Sequence, residues 1–501
     1  MSYARVLSAG LTGTAGQVVE VEADIAFGLP QFVVSGLPDA ALHESRDRVR
    51  AAVVNAGEEW PARRVTINLL PAPVRKQGSS YDLAIAIALL GGTGRLPLAP
   101  LDGTVLIGEL GLDGRLRPVR GVLPMVAAGV RAGHLRAIVP TVNGGEAALV
   151  PGAGVRTADS LNDVIRFVRD GAALGVPAAR RPGPDPATVD MADVAGQEYA
   201  KFVLEIAAAG GHHLSMIGPP GAGKTMLAAR LPTILPALDD TDAIEVTSIL
   251  SIAGKLPGDG LVRRPPFMAP HHTSSPAALI GGGSGLVRPG ALSFAHRGVL
   301  FLDEVAEFPK AVLETLRQPL EEGVVRLGRT REIVTLPARV QLVTAANPCR
   351  CAKPGGDTRC ECTPLERRRY LGRLSGPLLD RIDLHLRLEA VTAASLLGAE
   401  SAAAPEDSAT MAARVAQARA AAAERWRTRG WRLNAEADRS ALALPDAATA
   451  DVRHRIDTGQ LSARGVVRVL RVAWTIADLR GAPVPGREDV TTALGLRLAA
   501  H

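Results

Sequence analysis

Residues 218–225 read Gly-Pro-Pro-Gly-Ala-Gly-Lys-Thr, which matches G-x-x-x-x-G-K-[ST] and sits between the apolar run Leu214–Ile217 and the helix-forming run Thr225–Leu231. A strand, a glycine-rich turn and a helix in that order constrain the fold more than any other feature. The turn must wrap backbone N–H groups around one anion, and the helix N-terminus adds partial positive charge to them. Gly218, Pro219, Pro220, Gly221, Ala222 and Gly223 then cradle the phosphates of ATP, Lys224 reaches the β- and γ-phosphates, and the Thr225 hydroxyl ligates Mg²⁺. Such a site needs a second element, an apolar strand ending in acid. Val299–Leu302 followed by Asp303-Glu304 supplies it. Asp303 is expected in the Mg²⁺ shell and Glu304 to orient and deprotonate the attacking water, a pairing that favours hydrolysis over binding alone.

With 501 residues the chain holds two to four domains. Residues 1–172 alternate short apolar runs with glycine-rich turns. Val18–Ile25, Val65–Leu69, Val105–Leu110 and Ala137–Val139 read as strands, Ser45–Val54 and Leu83–Leu90 as helices, together an α+β domain. Residues 173–189 carry four prolines between Gly175 and Thr188 and read as a linker. Residues 190–391 alternate strands and helices as parallel-sheet proteins do, and residues 392–501 read as helical, with Met411–Arg427 and Val466–Leu479 the clearest segments. The fold class is α/β.

Composition narrows the function. The longest convincing apolar run, Leu83–Leu90, is far short of a membrane span, and Met1–Arg5 opens no signal peptide, so a cytoplasmic protein without a membrane partner is expected. Four cysteines confined to one short segment do not make a secreted disulfide scaffold. A net charge of +6 permits a polyanionic partner without requiring one, and 3% aromatics leave little for base-stacking platforms.

Beyond these elements the resemblance is specific. Asp193-Val194-Ala195-Gly196-Gln197-Glu198, Ala269-Pro270-His271-His272-Thr273-Ser274-Ser275-Pro276 with Gly281–Gly283, and Ser375-Gly376-Pro377-Leu378-Leu379-Asp380-Arg381-Ile382-Asp383 resemble motifs of AAA+ ATPases of the magnesium-chelatase-like group, most closely the ComM/YifB family, over nearly the whole chain. The resemblance implies an AAA+ P-loop core, a helical C-terminal lid and an N-terminal domain similar to the Lon-protease (ribosomal-protein-S5-like) fold. It implies that Asn347, after the strand Gln341–Ala346, senses the γ-phosphate. Arg381 becomes a finger entering a neighbour's site, and Arg464 the lid's second sensor, with Arg468 and Arg471 as competitors. A finger acting in trans requires a closed ring, and the family implies a homo-hexamer. His271, His272 and His296 get ordinary polar or loop roles rather than a metal site, since adjacent histidines on an extended segment face opposite ways.

Cys349-x-Cys351 and Cys360-x-Cys362, with eight residues between the pairs, fit a tetrahedral Zn²⁺ site if Lys353–Asp357 turns back; free or redox-sensitive thiols are the alternative. In the N-terminal domain Ser80 falls where the Lon-like nucleophile sits, but the lysine position reads Leu123 and no lysine occurs between Gln77 and Ala200. Without an amine to accept the serine proton, peptidase activity is not expected, and the domain reads as a scaffold or a nucleic-acid-facing ring. Val324–Leu327 and Glu332–Leu336 flank a turn rich in arginine, so Arg326, Arg329 and Arg331 become candidate sequence-independent DNA contacts. Three functions follow: a DNA motor of the helicase or branch-migration type used in recombination or natural transformation; a chelatase-type ATPase remodelling a protein partner; and a nucleotide-dependent scaffold.

Overall fold

The computed structural model describes residues 3–37, 39, 42, 44–72, 76, 78–178, 189–256, 258, 260–283, 288–328, 333–353, 360–373, 376–390 and 405–499. The chain forms two compact units, one comprising Met1–Asp185, Asp239–Val262 and Gly328–Thr335, the other Pro186–Leu238, Arg263–Leu327 and Leu336–His501.

In the first unit lie β1 (Tyr3–Thr12), β2 (Ala15–Ala26), β3 (Gln31–Ser35), β4 (Arg64–Leu70), β5 (Thr104–Leu106), β6 (Glu109–Leu110), β7 (Leu116–Arg117), β8 (Arg136–Pro140) and β9 (Gly154–Ala158). Seven of them make a mixed sheet in the order β3-β4-β2-β1-β5-β8-β9, while β6 and β7 pair separately. The expected strand Val105–Leu110 is thus broken: β5 stops at Leu106 and β6 leaves the sheet to pair with β7. Strand alternation sends neighbouring residues to opposite faces. Leu106 joins the helices Ser45–Asn55, Asp82–Gly92 and Leu161–Asp170 in one apolar cluster. Val105 joins the helix Val122–Arg131 in another. The helix Asp240–Ala253 also belongs to this unit, although its position in the chain placed it in the expected ATPase core. Ile244 and Leu261 pack on the second cluster, and the Ser251 hydroxyl donates to the Glu146 carboxylate.

The second unit holds β10 (Leu214–Ile217), β11 (Phe267–Met268), β12 (Gly281–Gly282), β13 (Arg288–Pro289), β14 (Val299–Leu302), most of β15 (Val324–Gly328), β17 (Gln341–Ala346) and β18 (Leu384–Arg387), while most of β16 (Ile333–Pro337) is assigned to the first unit. Its main sheet has five strands in the order β11-β14-β17-β10-β18. All its pairings are parallel, so every C-terminal strand end faces one way, the edge where open α/β sheets carry their sites. The strand residues Leu214, Met216, Phe301 and Val343 share one core with the helices Glu198–Gly210, Lys224–Ile234, Ser408–Trp426, Ala463–Leu479 and Arg487–Leu498. The C-terminal helices therefore belong to the same compact unit as the parallel sheet. Most of the expected linker (179–188), and residues 391–404 around the expected lid boundary, lie outside the described residues.

Candidate nucleotide site and its surroundings

At the C-terminal end of β10 the chain cannot continue straight. A side chain on Gly218 would meet Leu388 Cβ at 2.8 Å and its carbonyl oxygen at 2.9 Å. Gly223 takes φ +84° immediately before the helix Lys224–Ile234, a conformation that glycine adopts without strain. Lys224 is thereby set at the helix N-terminus with its ammonium donating to the carbonyls of Gly218 (2.7 Å) and Pro219 (2.9 Å) and to Asn347 Oδ1 (3.1 Å). Burial lowers the Lys224 pKa, against the pull of Asp303 and Glu304. Thr225 Oγ1 donates to Asp303 Oδ2 at 2.7 Å. This hydroxyl–carboxylate pair suits a hard cation sharing the nucleotide phosphates, since Mg²⁺ is held by one or two protein oxygens plus phosphate. Residues at the ends of β10, β14 and β17 thus converge at one sheet edge.

Glu304 follows Asp303 in the left-handed region, φ 49° and ψ 43°. Its N–H donates to Asp303 Oδ1 at 2.9 Å and its carbonyl accepts from Glu307 N at 2.7 Å. A non-glycine residue there is strained by about 1–3 kcal/mol, which the surrounding structure must hold. Upstream, Gln197 is likewise left-handed and its amide reaches the carbonyls of Ala222 (3.4 Å) and Glu389 (3.2 Å). Arg230 ties the same segment to the phosphate-loop helix through Asp193 (2.9 Å) and the Asp190 carbonyl (2.6 Å).

His271 and His272 depart from expectation. Ser274 N bonds back to the His271 carbonyl at 2.9 Å, so the segment turns rather than extends, and the two rings lie tilted by 33° with centroids 4.1 Å apart instead of facing opposite ways. His272 Nδ1 comes to 3.4 Å from Glu304 Oε2. His296 has the ordinary role expected of it: buried, it accepts from Arg339 N at 3.0 Å.

Arg381 is nearly buried and pairs with Glu321, a partner on the helix Arg317–Glu322 that the sequence did not offer; Asp380 and Asp383 are engaged by Arg497 and Arg468. The competitors for the second sensor separate. Arg468 is held by Asp383 and Arg471 Nε by the Ala437 carbonyl at 2.7 Å, while Arg464 is exposed in the first turn of the helix Ala463–Leu479. Arg326 lies exposed on β15 beside Glu322, its ion-pair partner, rather than at a turn of unopposed charge. Arg329 and Arg331 lie outside the described residues, and the hairpin arms β15 and β16 form the expected two-stranded sheet.

The four sulfurs of Cys349, Cys351, Cys360 and Cys362 lie within 4.8 Å of one another. Cys349 Sγ is 3.2 Å from both Cys351 and Cys360, and Cys351 is 3.6 Å from Cys360. Four thiolates about 2.3 Å from a tetrahedral Zn²⁺ stand about 3.8 Å apart, so the set fits. Hydrogen bonding from Cys349 lowers the Cys351 thiol, and burial raises Cys349. The turn expected at residues 353–357 falls, beyond Lys353, outside the described residues.

In the first unit Ser80 is buried, its hydroxyl directed at the Ala9 carbonyl (3.3 Å), and Leu123 is wholly buried. Lys76 is also buried and its ammonium is spent on the Pro71 carbonyl. The serine and the domain's lysine each donate to a backbone carbonyl.

Comparison with known families places these features. The family described as magnesium chelatase, subunit ChlI, matches residues 190–396, the subunit ChlI of Mg-chelatase matches 21–143, and the magnesium chelatase subunit ChlI C-terminal family matches 405–497. Protein Rv2897c of Mycobacterium tuberculosis is 51% identical, covering 99% of both chains. YifB of Escherichia coli is 40% identical over 99% of this chain and 97% of its own, and the competence protein ComM of Haemophilus influenzae 38% over 99% and 98%. With three consecutive family matches, full-length relatives and a parallel-sheet phosphate-loop core, the chain belongs to the ComM/YifB family of magnesium-chelatase-like AAA+ proteins.

Proposed function

We propose that this protein is an ATP-hydrolysing ring motor acting on DNA, of the helicase or branch-migration type. The observation that carries the ATPase reading is the convergence of Lys224, Thr225, Asp303, Glu304 and Asn347 on one sheet edge. A bound Mg²⁺ would supply charge to offset that developing on the transferred phosphoryl group. Around it, Thr225 and Asp303 offer ligands, Lys224 neutralises the terminal phosphates, Asn347 orients the γ-phosphate and Glu304 takes the proton of the attacking water. Arg381 exchanges Glu321 for the phosphate of a neighbouring subunit in a homo-hexamer, and Arg464 completes the site as the second sensor. The four cysteines hold a structural Zn²⁺ between Asn347 and Arg381. The first unit serves as a scaffold without peptidase activity.

A DNA substrate is supported by full-length similarity to a protein named for competence and by the arginines of the β15–β16 segment. The matched family's description, a magnesium chelatase subunit, favours a second reading in which the ATPase remodels a protein partner. Steady-state ATP hydrolysis with single-stranded, duplex and forked DNA separates the two. The motor reading expects stimulation of several-fold or more by at least one of these. Turnover indifferent to all three transfers the case to a protein substrate.

A further inference from the structure

Arg381 rides on little structure of its own. The helix before it, Gly376–Leu379, is a single turn, and β18 begins only at Leu384. A lone turn does not hold its shape without tertiary support. Bonds from Arg381 N to the Leu378 carbonyl (2.9 Å) and from Ile382 N to the Leu379 carbonyl (3.1 Å) close the turn but anchor it to no other element. The anchor comes from the C-terminal helices. Arg497, in the last turn of the helix Arg487–Leu498, donates from Nη1 to the Ile382 carbonyl. The same nitrogen lies 3.3 Å from His385 Nε2, and Nη2 faces Asp380 Oδ1 at 3.9 Å. One guanidinium thus reaches residues on both sides of Arg381. Next along the chain, Asp383 is taken by Arg468 of the helix Ala463–Leu479.

We infer that Arg497 is a positioning residue for Arg381: by gripping the segment on both sides of the finger, it sets the point from which the finger reaches the neighbouring subunit. The inference rests on the reading of Arg381 as a finger acting in trans. The grip suits arginine alone. Its guanidinium is a rigid plane of donors, so one nitrogen can serve a carbonyl while another faces a carboxylate, whereas a lysine ammonium is a single point. The helix that carries Arg497 is itself fixed on β18, because Leu384 and Leu386 share one core with Leu494 and Leu496. Apolar packing therefore holds the helix without help from the guanidinium. The Arg497 side chain is only 12% exposed, and a cation buried to that extent stabilises a fold little by itself. What it adds is geometry. Arg381 can leave Glu321 for a phosphate by rotating its side chain, while the backbone at Asp380–Asp383 stays in place.

The test uses mixed rings of the full-length protein and reads steady-state ATP hydrolysis, with Tm and gel filtration recording fold and assembly. Arg497→Met keeps the apolar stem and removes the donors. Alone it is expected to lower kcat about 10- to 100-fold, the range that misplacement of a reacting group costs, with KM for ATP within about two-fold. Mixed with Lys224→Ala it should recover as far as Arg381→Ala does in the same mixture, because its phosphate loop is intact and its neighbour lends a well-placed finger. The double variant Lys224→Ala with Arg497→Met should rescue Arg381→Ala about 10-fold less than Lys224→Ala does, since the finger it lends is displaced. A residue that merely supports its own subunit's site predicts the opposite pattern. Equal rescue by the double and the single variant, or no rescue of Arg497→Met by Lys224→Ala, overturns the inference. If Arg497→Met does not assemble, Arg497→Lys, which keeps one donor but cannot span the segment, enters the same mixtures, and wild-type kcat in that variant overturns the inference too. No recovery between Arg381→Ala and Lys224→Ala removes the trans finger itself, a different failure.

Discussion

Asp383 carries more contacts than its place in the arginine segment suggests. Buried, it accepts from His213 N at 3.1 Å, faces His212 Nδ1 at 3.6 Å and pairs with Arg468. Burial alone would raise its pKa; Arg468, His212 and His213 overcome this and hold it well below the carboxylate range. Beside it, burial pushes the His213 imidazole down to about 4, and its Nδ1 accepts from Leu342 N at 3.0 Å, a bond only the neutral ring can make. Between pH 6.5 and about 4 the unfolded chain therefore binds a proton at His213 that the folded chain refuses, so His213 contributes stability above pH 6.5 that is lost as the pH falls toward 4. Asp82, pushed up to about 6 by burial, titrates with the opposite sign and partly conceals this slope. The informative quantity is a difference. The Tm advantage of the wild type over His213→Asn, which keeps an acceptor at the Nδ1 position, should shrink steadily from pH 6.5 to pH 4. A difference constant across that range would show that His213 does not titrate in this way.

Among the elements, the cysteine segment gives a metal prediction. Purified protein is expected to carry about one Zn²⁺ per chain, as four thiolates in tetrahedral reach would hold. Cys360→Ser with Cys362→Ser should lose the metal, lower the Tm by several degrees and reduce ATP turnover, because the segment between Asn347 and Arg381 loses its anchor. Metal analysis reading no zinc, with all four thiols alkylated at the rate of free cysteine, would assign them as free thiols. The strand–loop–helix at 214–234 was legible from sequence because glycine positions and an apolar strand carry the phosphate geometry in local order. The acid pair was legible because an apolar strand ending in acid is the second element a phosphate loop needs, and Asn347 only through the family resemblance. The close approach of His271 and His272 was not: alternation assumes an extended chain, and nothing in two adjacent histidines reveals the bond from Ser274 N to His271 O that turns it. Nor did the sequence reveal Glu321 as the partner of Arg381, a contact made by folding across 60 positions. By chain position residues 240–253 fall with the ATPase core, whereas the helix Asp240–Ala253 belongs to the first unit.

On the scale of the whole molecule the pairing of Arg381 with Glu321 makes the ring proposal testable. Arg381→Ala alone should bind ATP and hydrolyse it about 10³-fold more slowly or worse, as loss of an arginine finger does. Lys224→Ala should fail to bind. Mixed together they should recover part of the activity, because a Lys224→Ala subunit still lends its Arg381 to a neighbour with an intact phosphate loop. No recovery in rings demonstrated to contain both variants would make Arg381 a structural partner of Glu321. The two-unit division carries a consequence in time as well as space. The first unit takes residues up to Thr335, and the second opens at Pro186, before the first has all its parts. On the ribosome the first unit cannot be completed until roughly two thirds of the protein has emerged, by which point its neighbour's phosphate loop is already outside the exit tunnel. The two must therefore mature together rather than in succession, and synthesis halted shortly after Asp185 would release a sheet still waiting for its last helix.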